Sequence, residues 1–215
     1  FEWHLNGEKI GDQVLAPALS EYDQRAYYMT FDVTPHLRPA QNAVAVQLGN
    51  GRYFAPRYEK QTRTFGFPKL LLQINIIYED DTRETIVSDA SWKINADGPI
   101  VANNEYDGET YDSRKELPGW TEPGFDDSAW RHAQVVKKPG HRLSSQMIEP
   151  IKITQTLNPI SIASPQPGAY IFDMGQNMVG WAQLRVSGPR GTRVSLRFAE
   201  TLRQDGTLSL DNLRT

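Results

Sequence analysis

The sequence predicts an all-β protein: an antiparallel β-sandwich followed by the start of a second one, with very little helix. Three observations carry that expectation. Apolar and polar residues alternate with a period of two in several separate stretches, as half-buried strands require. The stretches are short and closed off by turn residues, with 16 glycines and 14 prolines in 215 residues. No segment holds a 3.6-residue apolar period over several turns, so no long helix is expected. Short alternating strands with such punctuation are the signature of a sandwich.

The elements follow in order. "EWHLNGEKIG" reads as a hairpin, because Asn6-Gly7 accepts the positive φ angles of a type I′ turn. "RAYYMTFDVT" alternates over Tyr27, Met29, Phe31 and Val33 before Pro35 and Pro39 break the chain. "NAVAVQLGNG" is a strand ending in a second Asn-Gly, and "PKLLLQINIIYEDDTRETIVSD" reads as two antiparallel strands around a charged turn at Asp80 and Asp81. "FDDSAW" predicts a single turn capped by Asp126 or Asp127 and anchored by Trp130. "AQVVKK" is a further short strand. After "KKPGHRLSSQM" the strands restart at Pro150 with "IKITQTL", "AYIFDMG", "MVGWAQLRVSG" and "TRVSLRFAETL", the last two joined by the turn "SGPRGT". So few strands are short of an independent sandwich, and this second unit reads as incomplete. "FEWHLNG" begins inside a strand and "SLDNLRT" ends without a closing element, which reads as part of a longer chain.

Composition narrows the partners. Hydrophobic residues make up 39% and charged residues 23%, as in ordinary globular domains. A net charge of −3 without a basic stripe argues against nucleic acid. No apolar run approaches the roughly 20 residues that span a bilayer, so no membrane partner is expected. The absence of cysteine excludes disulfides and thiolate metal sites without fixing a compartment. His4, His36, His132 and His141 are scattered without ligand spacing, and "NADG" at residues 95–98 is no EF-hand loop. No metal or other cofactor is expected.

One stretch concentrates chemistry: "NNEYDGETYDSRKELPGWTEPGFDDSAW", residues 103–130, which carries Asp107, Glu109, Asp112, Glu116 and Arg114 beside Tyr106 and Tyr111. In an extended chain Asp107 and Glu109 would lie on one face about 6.6 Å apart. An inverting glycosidase needs carboxyls roughly 6.5–9.5 Å apart, but on opposite sides of the scissile bond. Neighbours on one strand face do not meet that condition, so no catalytic residue is assigned. The bland reading is a polar loop satisfied by local hydrogen bonds, with Arg114 gripping one carboxylate as a bidentate fork. The functional reading is a contact to a ligand or a neighbouring domain. Aromatic faces that could stack on sugars are Trp3, Trp92, Trp120, Trp130, Trp181, Tyr22, Tyr27 and Tyr53, although core packing accounts for most of them. "GNGRYF" is the better binding candidate, because residues 50–53 form a loop after a strand. The candidate ligand or domain contacts are Asn50, Arg52, Tyr53, Tyr106, Asp107, Glu109, Tyr111, Asp112 and Arg114.

Three long stretches, taken in order, resemble the N-terminal region of bacterial α-L-rhamnosidases, a family of inverting glycoside hydrolases. They are "LNGEKIGDQVLAPALSEYDQRAYYMTFDVTPHLRPAQNAVAVQLGNGRY", "YDGETYDSRKELPGWTEPGFDDSAW" and "FDMGQNMVGWAQLRVSGPRGTRVSLRFAETLRQDGTLSLDNLRT". The resemblance covers nearly the whole chain. It implies a modular enzyme in which β-sandwich modules precede an (α/α)6 barrel that carries the catalytic acid and base. Residues 1–148 would be a jelly-roll-like β-sandwich module and residues 149–215 the start of a concanavalin-like one, joined at residues 146–150. The chain would then be a non-catalytic accessory region, itself inactive. Its expected partners are a rhamnose-containing glycan and a downstream catalytic domain, with self-association of the chain through uncovered strands. A purely structural spacer is the alternative.

Overall fold

The computed structural model describes residues 1–57, 62–137 and 142–211. The chain divides into two compact units, Phe1–Lys152 and Ile153–Thr215. Both are built of strands. The regular helix is limited to two single 3-10 turns, Thr34–His36 and Ser113–Lys115, among the described residues. No helix of the described residues is long and apolar enough to cross a membrane.

In the first unit, β1 (Glu2–Leu5) and β2 (Glu8–Lys9) form the expected hairpin. Asn6 and Gly7 take φ of 56° and 89° at its turn. A side chain at Gly7 would run into the Glu122 carboxylate, so both the angle and the space call for glycine. β3 (Arg25–Tyr28) follows, and β4 (Val44–Gln47) pairs with β1 from Glu2↔Gln47 to Leu5↔Val44. Trp3 and Leu5, two apart on one face, are 7% and 0% exposed and meet Ile10 and Ile74. Phe1, Phe31, Val33, Val44 and Val46 pack around that core. Buried Asn6 is tied in by its own side chain: its Nδ2 donates to the His36 carbonyl at 2.9 Å and to Asn42 Oδ1 at 2.7 Å. Its Oδ1 accepts from the Ala43 amide at 2.9 Å.

β5 (Gln73–Ile77) and β6 (Arg83–Val87) form the second expected hairpin, with Asp81 at φ 64° in the turn and the Thr82 amide capped by Asp80 at 3.0 Å. β7 (Lys93–Ile94), β8 (Ile100–Asn104), β9 (Gly108–Tyr111), β10 (Arg131–His132) and β11 (Arg142–Ser145) complete the unit. β8 and β9 form a hairpin, and β10 pairs with β7. "FDDSAW" makes its turn: Asp126 accepts from the Ser128 amide at 3.0 Å, and Trp130 packs 5.6 Å from Phe125. In the second unit β12 (Ser161–Gln166) and β13 (Ala169–Asp173) are a hairpin.

Several strand expectations need correction. The strand expected over "RAYYMTFDVT" ends at Tyr28; beyond it the alternation of Met29, Phe31 and Val33 persists without a ladder. β3 pairs in parallel with β11, from Arg25↔Arg142 to Tyr28↔Ser145, in an otherwise antiparallel set of ladders. In "AQVVKK" residues 133–137 form no strand, because the chain pairs with β7 two residues earlier, at Arg131 and His132; Lys138 lies outside the described residues, as does His141. "IKITQTL" keeps only an isolated bridge, Lys152↔Gln13. "MVGWAQLRVSG" and "TRVSLRFAETL" carry no ladder among the described residues apart from the bridge Leu202↔Leu208. A strand exists by hydrogen-bonding to another, and beyond that bridge and the Ser209 amide donating to the Thr201 carbonyl at 3.0 Å, no ladder partner reaches these two among the described residues. Trp181 is accordingly exposed and not packed within a sheet.

Candidate functional site

Two segments about fifty residues apart meet in the first unit: the loop after β4 and the turn of the β8–β9 hairpin. The Asn50 amide donates to Asn103 Oδ1 at 2.7 Å, and Asn50 Nδ2 donates to the Asn103 carbonyl at 3.0 Å. The Glu105 amide donates to the Gly51 carbonyl at 3.2 Å. One asparagine therefore fastens the loop to the hairpin through both its backbone and its side chain.

The hairpin turn is built by the next asparagine. Asn104 Oδ1 accepts from the amides of Tyr106 and Asp107, both at 2.8 Å, and its Nδ2 donates to Asp107 Oδ2 at 2.9 Å. Gly108, at φ 77°, lets the chain turn back into β9. Tyr106 thus stands at the tip, and the guanidinium carbons of Arg52 and Arg57 each lie 5.0 Å from its ring centroid. Each arginine is also paired with a hairpin acid: Arg52 with Glu105 at 3.7 Å and Arg57 with Asp107 at 3.3 Å. Two cations, two carboxylates and a half-exposed phenol ring form one surface cluster. Its ring–cation contacts orient the guanidinium groups without neutralising them.

The other candidates lie elsewhere. Tyr53 belongs to an aromatic group with Tyr22 at 5.2 Å and Phe65 at 5.8 Å. Burial, and then the nearby Glu105 carboxylate, push the Tyr22 phenol up. Glu109 is exposed on β9 opposite Asn103. Tyr111 donates its hydroxyl to Glu116 at 2.7 Å, and that bond pushes the phenol up. Arg114 grips Asp112 with Nε at 2.7 Å and Nη2 at 2.5 Å, the expected fork. Together with the Arg114 amide, this holds the Asp112 carboxyl at about 2, well below the usual carboxylate range.

The nine residues therefore divide. Asn50, Arg52, Tyr106 and Asp107 assemble; Tyr53 belongs to the aromatic group with Tyr22 and Phe65; Tyr111, Asp112 and Arg114 close the strand end onto a 3-10 turn; and Glu109 stands alone on the strand. The extended geometry considered for Asp107 and Glu109 is not adopted, since Asp107 sits in the turn and only Glu109 lies on the strand. Sequence reading missed Glu105, Arg57, Asn103 and Asn104. The Asn-Asn pair ahead of an acid and a tyrosine was the signal for a side-chain-built turn.

The fold and the site define a β-rich module that presents polar loops at its surface. Comparison with known proteins makes the assignment specific. The model of the alpha-L-rhamnosidase N-terminal domain matches residues 1–155, and that of the bacterial alpha-L-rhamnosidase concanavalin-like domain matches residues 163–215. The chain belongs to the α-L-rhamnosidase family and corresponds to its N-terminal part. A crystal structure of Streptomyces avermitilis α-L-rhamnosidase complexed with L-rhamnose is 41% identical, with a TM-score of 0.85, over 100% of this chain and 21% of that one. The α-L-rhamnosidase from Dictyoglumus thermophilum is 44% identical, with a TM-score of 0.78, over 96% of this chain and 23% of that one. An α-L-rhamnosidase of Formosa agariphila is 38% identical over 96% of this chain and 22% of its own length. The chain thus spans about a fifth of the relatives it matches.

Proposed function

We propose that this chain is a non-catalytic accessory region of an α-L-rhamnosidase. A jelly-roll-like module over residues 1–148 helps recognise rhamnose-containing glycans. Together with the concanavalin-like segment over residues 149–215, it supports a downstream (α/α)6 barrel that hydrolyses terminal α-L-rhamnosides. The observation that carries this reading is the cluster at Tyr106. An exposed ring flanked by Arg52 and Arg57, on a turn fastened by Asn50 and Asn103, is a preformed polar and aromatic surface of the kind that holds sugars. A second reading, a structural spacer without ligand affinity, is favoured by the pairing of both arginines with Glu105 and Asp107.

Titration with L-rhamnose, followed by tyrosine and tryptophan fluorescence and by calorimetry, separates the two. Saturable binding that is lost on Tyr106→Ala supports recognition; heat and fluorescence that stay flat to high millimolar sugar support the spacer. The chain should not turn over aryl α-L-rhamnosides above background. Turnover that disappears on Glu109→Gln would overturn the non-catalytic assignment.

A further inference from the structure

Beside the Tyr106 cluster lies an open groove of about 350 Å³ within the first unit, whose lining includes Asp23, Tyr53, Arg63, Phe65, Lys69 and Lys137. Its floor is aromatic. Tyr53, Phe65 and Tyr22 form a three-ring group with centroids 5.0–5.8 Å apart. Its rim is cationic. Lys69 Nζ lies 5.2 Å from the Tyr53 ring centroid and donates to the Tyr53 hydroxyl at 3.3 Å and to the Phe67 carbonyl at 3.2 Å. The Arg63 guanidinium lies 4.9 Å from the Phe65 ring centroid and pairs with Asp23. Among the described residues Lys137 makes no hydrogen bond or ion pair.

Among the described residues that line it, three cations face one carboxylate, in a chain whose net charge is −3. Lysine and arginine offer hydrogen-bond donors and no acceptor. Asp23, the one charged acceptor among the described lining residues, is already paired with Arg63. A neutral sugar, whose hydroxyls both donate and accept, is poorly matched to such a lining. An oxyanion, which only accepts, is well matched. Lys69 has three N–H donors and uses two, and the Lys137 donors meet no partner among the described residues. The rings hold Lys69 and Arg63 in place by ring–cation attraction without cancelling their charge. A bare inorganic anion would leave the aromatic floor uncovered, whereas a sugar ring can lay its C–H face against it. The volume falls within the range of small-molecule sites.

We propose that this groove binds an oxyanion-bearing sugar residue, a uronate or a sulfated sugar, of the glycan that the chain engages. The proposal rests on the carbohydrate-recognition reading and adds a second, charge-selective subsite to it.

The test titrates the 215-residue chain with D-galacturonate, with its neutral methyl ester, with D-galactose 6-sulfate and with sodium sulfate, read by calorimetry and amide NMR. The two anionic sugars should bind about tenfold more tightly than the ester, as when one charge-assisted hydrogen bond replaces a neutral one. Which of the two is the tighter tells carboxylate from sulfate as the source. Binding should weaken as salt is raised. Lys69→Met and Lys137→Met should each weaken it severalfold. Asp23→Asn should tighten it, an effect that misfolding cannot imitate. Ester binding equal to the acid, sulfate alone equal to the sugars, or no binding of any probe overturns the proposal. L-Rhamnose titrated in parallel keeps the two readings apart. Rhamnose binding lost on Tyr106→Ala, with no response to uronate, removes the groove alone; uronate binding without rhamnose binding removes the rhamnose reading and leaves the groove.

Discussion

Replacing Asn6 with alanine should cost the first unit about 3 kcal/mol, because one side chain there does several jobs at once. Asn6 is 3% exposed and stands at φ 56°, between two strands of the only three-stranded sheet among the described residues. The substitution removes two donated bonds and one accepted bond. Asn42 Oδ1 keeps a partner, since the Arg38 amide also donates to it at 2.8 Å. The Ala43 amide and the His36 carbonyl lose the bonds they make to this side chain. A buried polar group left without a partner costs about 1–3 kcal/mol. Both groups lie at the edge of the buried region and can regain some water, so about 1 kcal/mol each applies. Alanine in the left-handed region adds roughly another 1 kcal/mol that asparagine largely escapes. Urea unfolding followed by tryptophan fluorescence reports the loss, with Trp3 inside the same core. The slope against urea should be unchanged. Asn75→Ala is the control. Asn75 also makes side-chain bonds, to Gln73 and Thr85, but it is exposed and should change stability by under about 0.5 kcal/mol. A loss below about 1 kcal/mol at Asn6 would refute the reasoning.

The remaining predictions concern the hairpin and the second unit. Asp112 should titrate at about 2 by carbonyl NMR and return toward the ordinary aspartate range in Arg114→Ala. Because its folded carboxyl is held low, its contribution to stability is present above the unfolded value of about 3.9 and is lost as pH falls through about 2; a titration unmoved by Arg114→Ala contradicts the fork. Glu109→Ala should change the stability of this chain by less than about 1 kcal/mol, as for an exposed strand residue, and a melt shifted by several kcal/mol would show that its carboxylate is instead buried and paired. The second unit exposes Val179, Trp181, Val186, Val194, Leu196 and Phe198, and so many exposed apolar side chains favour association between copies. Sedimentation should show mass rising with concentration, and a monomer at every concentration would count against it.

What could be read from the sequence was what is decided locally. Asn6-Gly7 and Asp80-Asp81 announce their hairpins because a positive φ and a short side-chain cap are properties of two or three adjacent residues. The "FDDSAW" turn is of the same kind, closed by Asp126 on Ser128. The β8–β9 hairpin is equally local, yet its sequence reads as a loop. Its turn is made by the Asn104 side chain, and its strands are too polar to alternate visibly. Pairings between distant segments leave no such trace. Nothing near Arg25 indicates that its partner is Arg142, or that the pairing is parallel. The same limit explains the second unit. Alternation at Val194, Leu196 and Phe198 tells which side of a chain is apolar, and it would read identically beside a partner or in the open. The candidate site combines both cases. Each loop could be picked out by itself, as a segment following a strand or as a cluster of acids and tyrosines. That Arg52 and Arg57 would meet Tyr106 depended on the Asn50–Asn103 link between them, which is a property of the folded chain and has no counterpart in either segment alone.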